Sequence, residues 1–407
     1  MTGDVRLAPG ERVRVLHVIT RLILGGAQEN TLFTVIGQQK DPRFEVTLLA
    51  GSETGAEGDL HGAARAAGVD LVLLPPLVRD IRPWQDVRAL VALVRFMRGR
   101  RFHIVHTHSS KAGILARAAA RIAGVPIVVH TLHSLVFHEY QSALANRVYV
   151  MLKRLVAPLT HAFISVNDGT ARGAIAAGIG RPEQHVTILS GMPLEPFLEV
   201  STALSPSEAK RRLGIPEDAP VVGKIARLTP LKGHAQFLDA AAEIARAEPR
   251  AHFLLVGNGI LRGELEQRVG EMGIAERTVF AGLVPPESVP ACIQAMDVVV
   301  HSSLREGLAR VLPQAGAVGK PVVTFALDGA PEVIHDGVSG YLVPAGDTAA
   351  LARRTIELLR DPVRCQEMGA AGREFAAAHF GVDIMVARIA EVYDRLLAGQ
   401  PSTGGAP

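Results

Sequence analysis

Short apolar runs alternate with longer amphipathic segments along nearly the whole chain, and that alternation is the first guide to the fold. In the first half, residues 13–19, 44–50, 102–105, 127–130, 162–165 and 186–189 read as strands, with helices at 27–39, 84–98, 111–123 and 143–156. Strands this uniformly apolar are buried on both faces, which requires a parallel sheet with helices on either side. The predicted class is therefore α/β and doubly wound. Between 191 and 220 the pattern changes, as Pro193, Pro196, Pro206, Pro216 and Pro220 punctuate a single short helix around 207–213. A second βα series follows, with strands at 221–226, 252–256, 278–281, 298–301 and 321–325.

Two Rossmann-like domains result, one over 1–195 and one over 196–380, with a helix at 381–398 crossing back to the first and a disordered tail at 399–407. Domains of this kind bind ligands at the carboxyl ends of their strands, so an interdomain cleft is expected there. The length of 407 residues agrees, being too long for one ordinary core.

Composition narrows the classes. The chain is 48% hydrophobic and 20% charged, and it lacks the run of about 18 apolar residues that spans a bilayer. Residues 1–11 lack the apolar core of a signal peptide, so a cytoplasmic location is expected. Cys292 and Cys365 lie far apart and are expected to be buried thiols. With 43 basic against 40 acidic residues, four Tyr and one Trp, nucleic acid is not an expected partner. Arg95, Arg98, Arg100 and Arg101, and Arg147, Lys153 and Arg154 beside Val148 to Leu152, fit either a peripheral contact with the inner membrane face or solvated helix surfaces.

The most informative segment runs from Arg305 to Gln314. It follows an apolar strand, and the residues after Leu308 read as a helix whose first amides have no internal partners and attract phosphate. Glu306 repels phosphate, so its presence there suggests a ligand that also offers hydroxyls, as a nucleotide sugar does. A helix-dipole acid is the plainer alternative. Gly25 and Gly26, between the first strand and its helix, permit close backbone approach of a ligand or simply make a tight turn; the dinucleotide G-x-G-x-x-G is absent. Arg227 and Lys232, after the first strand of the second domain, are suited to clamp a diphosphate or to line a solvated loop. Gly257-Asn258-Gly259 adds a weaker turn signal. His106, His108, His130 and His133 raise the question of zinc, but no H-E-x-x-H or Asp-x-Asp occurs, so no metal site is assigned.

Together these segments resemble the retaining glycosyltransferases of family 4, with the GT-B fold, over nearly the whole chain. The resemblance rests on Gly25-Gly26, His130-Thr131-Leu132-His133, the loop from Arg227 to Gly233, Val256-Gly257-Asn258-Gly259, Glu306-Gly307-Leu308, Pro331-Glu332-Val333-Ile334 and Asp336-Gly337. It implies that the second domain binds a nucleoside diphosphate sugar and that no cofactor beyond this co-substrate is used. Gly25 and Gly26 would meet the donor phosphates, Arg227 and Lys232 the diphosphate, and Glu306 the sugar hydroxyls. The amides of Gly307 and Leu308 would meet phosphate or sugar oxygen, and His133 the transferred sugar near its reacting carbon. The family's E-x7-E pattern has Gln314 in place of its second acid, which leaves open a catalytically weakened nucleotide-sugar-binding protein. A GT-B nucleotide-sugar epimerase is a further alternative. The acceptor would be a glycan, a lipid-linked glycan or a small molecule, in surface polysaccharide or glycoconjugate synthesis.

Overall fold

The computed structural model describes residues 8, 10–55 and 58–400, so the tail expected at 399–407 lies almost wholly outside the described residues, as does much of 1–11. The chain forms two compact units, Met1–Met192 with Val382–Pro407, and Pro193–Gly381.

In the first unit seven strands form one parallel sheet. They are β1 (Val13–Arg21), β2 (Phe44–Gly51), β3 (Asp70–Leu73), β4 (Ile104–His108), β5 (Ile127–Leu132), β6 (Ala162–Ser165) and β7 (His185–Thr187), in the order β3-β2-β1-β4-β5-β6-β7. Alternation along β1 sorts its side chains between two cores. Val15 and Ile19 pack with Leu32 and Val35 of the Gly26–Gln39 helix and with Met385, Ile389 and Tyr393 of the Val382–Leu397 helix. Leu16 and Val18 point the other way, onto Ala89, Leu93 and Met97 of the Pro83–Arg100 helix and Ala112 and Ala116 of the Ser110–Ala123 helix. The last helix of the chain thus completes the core of the first unit.

The second unit repeats the scheme with β8 (Val221–Ile225), β9 (His252–Val256), β10 (Thr278–Gly282), β11 (Val298–His301), β12 (Val322–Phe325) and β13 (Gly340–Val343), ordered β10-β9-β8-β11-β12-β13. Phe237, Phe253, Leu255, Val300 and Phe325 fill its core, each contributing about 1.5–3 kcal/mol when fully buried. In both sheets the strand order reverses beside the unit's first strand, between β1 and β4 and between β8 and β11. Loops splay apart at such switch points, so ligand sites are expected beyond the strand ends there. Among the described residues, no helix is long and apolar enough to cross a membrane. Cys292 is buried, Cys365 is half-buried, and neither forms a disulfide.

Candidate functional site

The loops leaving β8 and β11 are locked together in the second unit. The amide of Leu304 donates to the carbonyl of Leu231 at 2.8 Å, and the Ser302 hydroxyl donates to the carbonyl of Gly233 at 2.7 Å. Gly233 has φ 67°, and a Cβ at that position would lie 1.7 Å from the Ser302 carbonyl oxygen, so only glycine lets the loops approach this closely.

That contact brings Lys232 and Glu306 together, with Nζ donating to Oε1 at 2.6 Å. The Glu306 amide donates to Asp328 Oδ2 at 2.5 Å, and Asp328 also accepts from Arg305 Nη1 at 2.9 Å. Burial pushes the Glu306 carboxyl up, but Lys232, His301 and hydrogen bonds from Lys232 and Ser303 outweigh it and hold the group below its ordinary value. The carboxylate is therefore ionised at neutral pH. Arg227, on the same loop, is exposed, and its carbonyl accepts from Nε2 of His234 at 2.8 Å.

The helix after Glu306 begins later than the sequence suggested. It spans Val311–Val318, and Gly307 and Leu308 lie in the bend before it, so their amides are not those of a helix start. Pro313 explains the shift. A helix starting at Ala309 would need an N–H from Pro313, whereas a start at Val311 places proline in the first turn, where none is needed. Glu306 is accordingly not a first-turn acid. Gln314 stands in the first turns of this helix, half-buried.

Two residues of this site escaped the sequence reading. Lys224 on β8 is 1% exposed, donates to Ser302 Oγ at 2.9 Å, and is pushed by burial down to about 7. His301, closing β11, is buried 3.8 Å from Glu306, and among the described residues neither of its ring nitrogens has a hydrogen-bond partner. It lines a small cavity with Ser303, Glu306, Thr324 and Asp328. Their one sequence signal was a polar residue inside an apolar strand.

In the first unit, Gly25 and Gly26 open the Gly26–Gln39 helix, where the Gly25 carbonyl accepts from the Glu29 amide at 2.9 Å. His133 follows β5 directly. Register decides which histidines it joins. His17 on β1 pairs with His106 on β4, and His108 lies two residues on, so all three share one face. His130 pairs with Thr107 and faces the other way, bonded to its hydroxyl at 2.8 Å. The four-histidine group considered from sequence is therefore corrected: His17 joins His106, His108 and His133, and His130 does not. His17, His106 and His108 bring nitrogens within 4.8 Å of one another, a spacing open to a metal ion. Each of their six ring nitrogens, however, already bonds to protein, the partners being Gln38, Tyr393, Thr131, His133 and one another.

Both units match known families. Residues 26–190 match the glycosyl transferase 4-like domain and residues 206–375 the glycosyl transferases group 1 domain. The D-inositol 3-phosphate glycosyltransferase of Thermomonospora curvata is 30% identical over 309 residues, covering 72% of this chain and 71% of the relative. The chain belongs to the family 4-like glycosyltransferases. This glycosyltransferase is also 28% identical, over 86% of its length and 89% of the relative, to the UDP-Gal:alpha-D-GlcNAc-diphosphoundecaprenol alpha-1,3-galactosyltransferase of Escherichia coli. Among solved structures it is similar to Anabaena HepE in complex with UDP-glucose, at 23% identity with a TM-score of 0.76 over 94% of this chain and all of that one. The sucrose-phosphate synthase of Thermosynechococcus elongatus gives a TM-score of 0.78 at 20% identity over 96% of this chain and all of that one. The fold is GT-B, two Rossmann-like domains in one chain.

Proposed function

We propose that this glycosyltransferase moves a sugar from a nucleoside diphosphate sugar to an acceptor with retention at the anomeric carbon, without a metal or a cofactor. The observation that carries this reading is the Lys232–Glu306 pair at the β8/β11 switch point. It offers an ammonium for the diphosphate and an ionised carboxylate for sugar hydroxyls from one loop junction. The bond from the anomeric carbon to the diphosphate oxygen breaks with its electron pair on that oxygen, and Lys232 with Arg227 offsets the charge. The acceptor hydroxyl attacks from the same face, and its proton passes to the departing phosphate oxygen. We assign Gly25 and Gly26 to the phosphates, Gly307 and Leu308 to phosphate or sugar oxygen, His133 to the transferred sugar and Gln314 to the nucleotide ribose. The experiment is turnover with UDP-, GDP- and ADP-sugars in EDTA, following nucleoside diphosphate release and the anomer formed. Loss of activity in EDTA would refute metal independence. Binding without turnover would favour the weakened, Gln314-type reading, and conversion of the donor alone would favour an epimerase.

The acceptor we propose is lipid-linked, reached at the anionic inner face of a membrane during surface glycan synthesis. On the Ala143–Val156 helix, Leu144, Val148, Met151 and Leu155 recur at helical spacing and are 73%, 41%, 61% and 73% exposed. Arg147 and Arg154 stand exposed on the same helix, whereas Lys153, grouped with them from sequence, is buried, so an apolar stripe is accompanied by two cations that suit acidic headgroups. The acceptor in the E. coli relative's name, a diphosphoundecaprenol, is of this class. Sedimentation with phosphatidylglycerol vesicles at low salt is the test. Binding lost on Leu144→Glu with Met151→Glu supports the surface, and no binding by the unaltered protein removes it.

A further inference from the structure

The sheet face behind His133 holds a line of polar side chains where apolar ones would pack more cheaply. Gln38 and His17 are 0% exposed and His108 is 1% exposed, among Val15, Ile19, Ile104 and Val129. Leaving such a group without its hydrogen bond costs about 1–3 kcal/mol, so these rings are held in place by one another. Gln38 Oε1 lies 2.8 Å from Nε2 of His17, Nδ1 of His17 lies 3.0 Å from Nε2 of His108, and Nδ1 of His108 lies 3.1 Å from Nε2 of His133.

We infer that Gln38, His17 and His108 form a hydrogen-bonded wire that fixes the proton of His133 on Nε2, leaving its Nδ1 lone pair to accept from a sugar hydroxyl. Burial lowers His17 and His133 to about 4 and His108 well below its ordinary value, so every ring is neutral at pH 7 and has one donor and one acceptor nitrogen. A row of such rings admits only two proton arrangements, and the group at its end selects between them. Oε1 of Gln38 faces His17 while its Nε2 is buried without a partner among the described residues; in that orientation the amide only accepts, so Nε2 of His17 carries its proton. Nδ1 of His17 then accepts from Nε2 of His108, and Nδ1 of His108 accepts from Nε2 of His133. The hydrogen bond of His133 to protein runs through its Nε2, and His133 is half-buried, so the wire leaves Nδ1 as the acceptor nitrogen. A neutral lone pair there repels phosphate oxygen and selects a hydroxyl, so His133 reads the sugar and not the diphosphate. Gln38, His17 and His108 are positioning residues that act through His133.

This inference rests on the role given to His133 above, but its test reads the protein without donor, so the two can fail separately. The full chain is labelled with 15N-histidine, and long-range 1H–15N spectra are recorded at pH 7.5, with His133 identified through His133→Gln. The expected spectrum has Nε2 of His133 protonated and Nδ1 bare. In Gln38→Leu, a mixture of the two tautomers and an about five- to tenfold fall in kcat/KM, the size of one lost hydrogen bond, are expected. A proton on Nδ1 in the unaltered protein overturns the inference whether or not the variant folds. An unchanged tautomer in folded Gln38→Leu overturns the wire.

Discussion

Lys232 and Glu306 meet at 2.6 Å although 74 residues separate them in the chain, because the loops that carry them leave neighbouring strands at the point where the sheet reverses its order. Their side chains are 28% and 22% exposed, so the pair is neither core nor open surface. Removing one partner leaves the other charge poorly solvated. Lys232→Met and Glu306→Gln are each expected to lower stability by about 1–3 kcal/mol and to abolish turnover. The double variant should be more stable than the two losses summed. A double-mutant cycle by urea unfolding checks this, and strict additivity would mean that the two side chains do not interact.

Gly233→Ala tests the loop junction itself. The added methyl meets the Ser302 carbonyl oxygen at 1.7 Å, and backbone cannot step aside as a side-chain tip does. Gly346→Ala, at φ 78° with nothing among the described residues within 4 Å of the added Cβ, is the control that carries backbone strain without a clash, worth about 1–2 kcal/mol. The Gly233 variant is expected to lose more stability than the control and to lose turnover. Equal thermal midpoints for the two would contradict the locked junction.

Gln314→Glu restores an acid near the start of the Val311–Val318 helix, where negative charge is also favoured by the helix dipole. Charge-assisted hydrogen bonding to the ribose should tighten donor binding about five- to tenfold. Calorimetric titration measures it. Unchanged affinity would show that Gln314 does not face the nucleotide.

Acid should weaken the first unit over a defined window. The unfolded chain takes up protons on His17 and His133 below about 6.5, whereas the folded protein does so only near 4. Stability is therefore fully present above pH 6.5 and falls as pH drops from 6.5 towards 4. His17→Gln should flatten that slope in urea titrations at a series of pH values. A slope identical to the unaltered protein would mean that His17 titrates normally in the fold.

Much of this fold was legible in the sequence where burial is complete. Strands read at 162–165, 252–256 and 298–301 coincide with β6, β9 and β11, each an apolar run inside its sheet. The strands that escaped notice, Asp70–Leu73 and Gly340–Val343, sit at sheet edges, where one side of the strand has no neighbour and the apolar signal thins. Lys232 and Glu306 were visible as residues but not as a pair, since their contact depends on Gly233 lying against Ser302. The wire behind His133 was hidden for a related reason. His17 is a polar residue within the apolar run 13–19 and was not singled out, and its partner Gln38 belongs to a helix that nothing in its own sequence ties to that position.

The most direct test of the central claim is a thermal-shift screen against UDP-, GDP- and ADP-sugars without metal, run on the unaltered protein and on Lys232→Met. Binding to the folded state stabilises by about 2.7 kcal/mol when ligand is present at a hundredfold its Kd. A raised midpoint with one nucleotide class, absent in Lys232→Met, is the result predicted for a donor held at the Lys232–Glu306 junction. An unmoved midpoint with every donor at millimolar concentration, or an equal shift in both proteins, would contradict it.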